Sequence, residues 1–314
     1  MKKTISPKSI YHLARQFEKK TKGGKTRGRP RTYSLSLVLT MASMQNLYAL
    51  SFREALEFSK DLFEFMPCLS TFHYRVSTLD TRILEEFIAF LGLDIQNAFY
   101  ERGVELRQFM IDGTGFSFHD VYPLKYFRGT EVRKIQSHVR ALALVASTGK
   151  ERFVIGALSG KAYESEVAMA RRLIPRFDFR KKLPFLGDRG FDCIDLLKLI
   201  EKKGALPSIK MKETWRFNIK DPERAKSAQN ERKHGKKRTL IEGLFGNIKE
   251  KTTSHIKVFK ENTARVYALL RLALYNIHFL LKFTKEGGVW VVFRTASCSS
   301  EEVLGIGGGN DKGL

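Results

Sequence analysis

The apolar residues of this chain change their period near residue 104, and that change limits the folds open to it. Between 34 and 100 they recur at helical spacing. Leu35, Leu37, Val38, Leu39, Met41, Ala42, Met44 and Leu47 predict a first helix. Ser51, with Glu54 three residues on, caps a second that carries Ala55, Leu56 and Phe58. Pro67 breaks the pattern, and Ser70 caps a third helix with Phe72, Tyr74, Arg75 and Val76. Residues 80–100 form a longer amphipathic helix. Beyond 104 the runs shorten. Residues 104–111, 139–146 and 152–158 read as strands, the last two joined by a turn at 148–150. A helix over 164–177, a strand over 183–186, a helix over 193–203 and a strand over 205–211 follow. A polar, basic stretch (212–237) leads to an amphipathic helix, and Asn262 caps a final helix running to about residue 285.

Charge narrows the partners. The chain has 56 Lys and Arg against 33 Asp and Glu, a net charge of +23. Residues 1–32 hold 11 basic residues and 1 acid, and residues 201–260 hold 17 and 7, so two segments carry most of the excess. Such concentration points to a polyanion, and nucleic acid fits best. The N-terminus has no apolar stretch behind its lysines, so no signal peptide is expected. The longest apolar stretch, 267–283, is interrupted by Arg271 and His278 and is short for a membrane span. Cys68, Cys193 and Cys298 are expected to be free buried thiols in a reducing compartment.

Three acids stand in distinct settings: Asp112 in Met-Ile-Asp-Gly-Thr-Gly-Phe-Ser, Asp188 in Phe-Leu-Gly-Asp-Arg-Gly-Phe-Asp, and Glu242 on the amphipathic helix after the basic stretch. The first two end strand-like runs. Gly113 and Gly115 leave room there for a backbone or a phosphate. On the third segment Leu240, Ile241, Leu244, Phe245 and Ile248 form an apolar stripe. Arg238, Glu242 and Lys249 fall on its margin, within about 40° of one another at 100° per residue. An Arg238–Glu242 helical pair would explain two of them but not all three beside a basic segment. Three converging carboxylates can hold two divalent cations and support phosphodiester chemistry. Asp120 is the substitute if the register is shifted, and Asp192 and Asp195 read as surface or capping residues. His138 reads as structural, and Trp215 as local packing rather than a base-stacking residue.

The order strand, strand, strand, helix, strand, helix, strand, helix is that of an RNase H-like domain. The acids fall where such a domain carries them: on the first strand, near the end of the fourth, and on the last helix. With Arg238-x3-Glu242-x6-Lys249, Ile111-Asp112-Gly113-Thr114 and Gly187-Asp188-Arg189-Gly190-Phe191, the chain resembles DDE transposases of bacterial and archaeal insertion sequences over residues 30–285. The Tyr that often precedes the Arg by three residues is Gly235 here. The resemblance implies an α/β fold: an RNase H-like mixed sheet flanked by helices, with an N-terminal all-α module. Its parts would be a basic arm (1–33), a helical DNA-binding or dimerisation module (34–103), the catalytic domain (104–286) and a disordered tail (287–314). It implies Asp112, Asp188 and Glu242 as catalytic residues and ligands of Mg²⁺, with Mn²⁺ able to substitute. It further implies Arg238 and Lys249 on DNA phosphates, cleavage at element ends, and strand transfer into target DNA by a homodimer or larger synaptic complex in the cytoplasm, on the nucleoid. The segment Thr26-Arg27-Gly28-Arg29-Pro30-Arg31 resembles the core of AT-hook segments, which would put Arg27, Arg29 and Arg31 in a minor groove; a plain basic linker is the alternative. Two other functions remain open: a decayed or domesticated DNA-binding protein, and an RNase H-like nuclease without strand transfer.

Overall fold

A computed structural model describes residues 5–21, 32–125, 132–179, 182–212, 221–235 and 239–286, with the backbone alone at 120–125, 132–136 and 284–286. Helix α1 spans Pro7–Thr21, α2 Leu35–Tyr48, α3 Phe52–Lys60, α4 Leu69–Ser77 and α5 Thr81–Glu101. Strands β1 (Gln108–Lys125), β2 (Val132–Ser147) and β3 (Arg152–Lys161) follow. Then come α6 (Glu166–Leu173), β4 (Pro184–Gly187), α7 (Ile194–Lys202), β5 (Leu206–Ile209), α8 (Pro222–His234), α9 (Thr239–Thr252), β6 (His255–Ile256) and α10 (Glu261–Glu286).

The sheet order is β3-β2-β1-β4-β5, with β6 also on β1. The β1–β2 and β2–β3 pairs are antiparallel, whereas β4, β5 and β6 run parallel to their partners. This is the RNase H-like arrangement read from the order of elements. Phe116 of β1 faces α9 and α10, where the Arg271 guanidinium lies 5.1 Å from its ring. The opposite face carries Phe109 and Gly113 and is covered by α6 and the segment after it, through Phe179 and Glu166.

Local chemistry explains the helix starts. Ser51 and Glu54 form the capping box, with backbone-to-side-chain bonds of 3.2 and 2.6 Å. Asp80 caps α5 by accepting from the Arg82 N–H at 2.9 Å. The third helix begins two residues earlier than expected: its cap position is Cys68, and Ser70 lies inside the first turn. Cys68 is free but exposed, not buried, with its sulfur 3.2 Å from both the Ser70 and Thr71 hydroxyls. Within the segment read as a basic arm, residues 7–21 form α1, because Ile10, Leu13, Ala14 and Phe17 share one face and bury it. The stretch 212–237 contains α8, whose one fully buried residue is Ser227. Residues 22–31, with Arg27, Arg29 and Arg31, lie outside the described residues, as do Trp215, Arg238, Cys298 and the tail.

Buried side chains from α1, α2, α5, the sheet, α9 and α10 belong to one continuous apolar cluster. Helix α10 runs through it. Its segment Glu261–Phe283 is long and apolar enough to cross a membrane, yet 72% of its most apolar window is buried inside the fold. Where β3 bulges at Ile155, between its pairings with Leu144 and Val145, the Val154 peptide groups turn to α10. Asn276 satisfies both, accepting from the Val154 N–H at 3.0 Å and donating to its carbonyl at 2.7 Å. Replacing Asn276 with Ala orphans two buried groups, so Asn276→Ala should cost about 2–4 kcal/mol of stability in urea unfolding.

Candidate active site

Strand β1 changes neighbours along one edge. Phe109 and Met110 pair with Phe185 and Leu186 of β4, and Ser117 and Phe118 pair with His255 and Ile256 of β6. Among the described pairings no strand lies beside residues 112–116 on that edge. Continuing the β1–β4 register by two residues sets Asp188 beside Asp112, one strand spacing (about 4.8 Å) apart. Asp188 thus leaves β4 where the edge opens, on the edge that carries Asp112. Asp112 lies within β1, not at its end, because the strand continues through Gly113-Thr114-Gly115 in register with β2.

Both aspartates are half-buried and locally held. Asp112 accepts from the Gly113 N–H at 2.8 Å. Asp188 caps a single 3₁₀ turn, Arg189–Phe191, and accepts from the Gly190 N–H at 2.8 Å. Space is tight just before it: a Cβ at Gly187 would lie 2.7 Å from Ile209 Cδ1, so a side chain there would have to displace that methyl.

Glu242 is exposed in the first turn of α9. The stripe read from sequence is the one that packs: Ile241, Leu244, Phe245 and Ile248 are buried. Lys249 is half-buried on the same helix, its ammonium 5.6 Å from the Phe116 ring. Burial, and then the nearby Arg271 charge, hold its pKa below the usual lysine range. The start of α9 is fixed to the sheet by Arg152, which donates to the Leu240 carbonyl at 3.0 Å.

Sequence reasoning missed Glu166. It lies in the first turn of α6 with its carboxylate over Gly113, filling the space a side chain there would need. The glycine therefore admits Glu166 and not an open approach to the strand. Arg140 holds Glu166 at 3.1 Å. Its pKa is raised by burial first, opposed by Arg140 and reinforced by Asp188, so it stands within electrostatic reach of that aspartate. The sequence signal was only a helix start, and nothing in it tells that the side chain crosses a strand. Asp192, read as a surface or capping residue, is 4% exposed and paired with Arg224 at 3.0 Å. Asp195 is on the surface, paired with Arg171 at 2.9 Å. His138 is half-buried with its ring edge-on to Tyr163, and the side chain of Asp120 lies outside the described residues.

Carboxylate oxygens such as those of Asp112 and Asp188 are the donors that suit a hard divalent cation. Among the described residues no group of three or more His, Cys, Asp or Glu is gathered for a metal, and Glu242 is not assembled with the pair.

The Transposase DDE domain profile matches residues 105–277, from just before β1 into α10. The chain belongs to the DDE transposase family. It is 30% identical over 261 residues to an uncharacterized protein of Aquifex aeolicus (strain VF5), covering 82% of this chain and 80% of that one. A cryo-EM structure of the piggyBac transposase synaptic complex with hairpin DNA aligns at 12% identity with a TM-score of 0.46, covering 90% of this chain and 73% of that one.

The Glu166 arrangement in this transposase domain is testable by a double-mutant cycle. Gly113→Ala should displace the Glu166 carboxylate and cost the Arg140 pair, about 0.5–1 kcal/mol. That cost should vanish in a Glu166→Ala background. Gly115→Ala, whose Cβ would meet only His138 at 3.5 Å, should be neutral in both.

Proposed function

We propose that this chain is an active transposase that cleaves DNA at the ends of its element and joins them to target DNA. The observation that supports the reading is that β4 runs parallel to β1 in the Met110–Leu186 register and ends at Gly187, so Asp188 leaves the strand at the open edge on which Asp112 lies. Asp112 and Asp188 would hold the cation, Mg²⁺ or Mn²⁺, with Glu242 as the third ligand from α9. Bound there, the cation would acidify a water or a 3′-hydroxyl and stabilise the leaving oxygen.

The protein side of the reaction is positioning. The β1–β4 register would set the spacing of the two aspartates, and the 3₁₀ turn after Asp188, whose side chain accepts from the Gly190 N–H, would orient its carboxylate. Lys249, half-dehydrated against Phe116, would meet a phosphate near the site, and Arg238, four positions before Glu242 in the sequence, would do the same. Arg27, Arg29 and Arg31 would extend the footprint into a minor groove. A homodimer or larger complex would bring two element ends together, on the nucleoid in the cytoplasm.

The test is Mg²⁺- or Mn²⁺-dependent cleavage and strand transfer on DNA carrying the repeats that flank the gene. Wild type should act, and Asp112→Ala, Asp188→Ala and Glu242→Ala should fall to the metal-free background while keeping DNA affinity. Cleavage surviving all three substitutions would overturn the assignment. Binding without cleavage by wild type would identify a DNA-binding relic, and cleavage without joining a nuclease. Affinity should also be steeply salt-dependent, weakening by about 10³–10⁵ between 50 and 200 mM salt if six to ten phosphates are contacted.

A further inference from the structure

At the far lip of the open edge, β6 and the residues after it alternate inward and outward. Ile256 and Val258 are buried, whereas Lys257 and Phe259 point to solvent, followed by exposed Lys260. Phe259 is 76% exposed, the most exposed large apolar side chain among the described residues. It is not a loose surface residue. Its ring stacks on His119 of β1, with centroids 5.4 Å apart and planes 27° from parallel. His119 in turn meets His255 edge-on at 4.4 Å. The His119 backbone N–H donates to the Val258 carbonyl at 3.0 Å, which ties the two segments together. Ser117 Oγ lies 3.1 Å from His255 Nδ1 and fixes that ring. Burial, then the charges of His119, Arg271 and Lys257, keep His255 below the ordinary histidine pKa, so the inner ring is neutral near pH 7.

Three rings are thus held in order, and the outer one offers a free face between two lysines. An aromatic face flanked by cations matches the chemistry of an unpaired nucleotide: the ring stacks on a base, and the ammonium groups take the phosphates on either side. A duplex hides its base faces and gains nothing from it. His119 lies seven residues beyond Asp112 on β1, roughly 23 Å along the strand. The platform therefore stands on the same edge of β1 as Asp112, about seven base-pair steps away at roughly 3.4 Å each.

We propose that Phe259, stacked on His119 and flanked by Lys257 and Lys260, is a binding site for an unpaired DNA base. This deepens the transposase reading by naming a strand-separated segment of the substrate as what the site takes. The experiment measures the affinity of the full chain for a fluorescent oligo-dT strand and for a blunt duplex of equal length, at fixed salt. Phe259→Ala should weaken single-strand binding by about 5- to 150-fold, the worth of one stacked base, and leave duplex affinity unchanged. Phe259→Trp should restore it, and His119→Ala should weaken it by a smaller factor. Unchanged thermal unfolding of Phe259→Ala would show that the fold is intact. Equal losses on strand and duplex, no loss on either, or a loss confined to an RNA strand would overturn the proposal. Its failure is separable from that of the transposase reading. Single-strand binding that depends on Phe259, in a protein that cleaves nothing, keeps the platform and removes the catalysis. Cleavage that needs Asp188 while Phe259→Ala binds as wild type does the reverse.

Discussion

The handover along β1 is the constraint on which the rest of this molecule depends. One edge of the strand is closed by antiparallel β2 for nearly its whole length, so its position is fixed. The other edge is shared between a parallel strand arriving through α6 and a short parallel strand arriving from α9. Neither reaches the middle. A sheet normally covers its central strand on both edges, because unpaired peptide groups are a liability. Here the uncovered interval coincides with Asp112 and with Asp188 where β4 ends, and the helix bearing Glu242 and Lys249 leads directly to the strand that closes the far end.

Much of this was legible because the decisive signals are local. The capping box at Ser51 and Glu54, the stripe from Ile241 to Ile248, and the short buried runs of β2 to β5 each follow from neighbouring residues. What escaped was set by distant ones. The helix α1 has too few apolar residues to stand out from its lysines, and shows itself only through the partner that covers Ile10 and Phe17. The helix α8 has almost no apolar face; its one buried residue, Ser227, works by accepting from the Ile209 N–H at 3.0 Å. The extension of β1 past Asp112 is polar and glycine-rich, and is held as a strand by pairing with β2. Glu166 fills the space over Gly113, 53 positions earlier, a contact that no spacing rule can express.

The N-terminal helices share the core of the α/β domain. Asn46 of α2 donates to the Tyr267 carbonyl at 2.9 Å and accepts from Arg271 Nε at 3.1 Å, and Gln45 meets the Tyr267 hydroxyl. Gly92 brings α5 so close to β3 that a Cβ would lie 2.7 Å from the Val154 carbonyl. The all-α part and the sheet are therefore joined by directional polar contacts as well as by apolar area, which fixes their relative orientation.

Arg271 gives that junction an electrical character. Its side chain is 2% exposed and donates to the carbonyls of Thr253 and His255 at 2.8 and 2.9 Å, with no carboxylate partner among the described contacts. Burial lowers its pKa to about 9, so the charge persists at neutral pH. Surface lysines are veiled by mobile ions beyond about 8 Å at physiological salt, while a cation sealed in the protein is screened much less. A fixed positive charge behind β6 therefore projects toward the same opening under conditions in which the outer charges have faded.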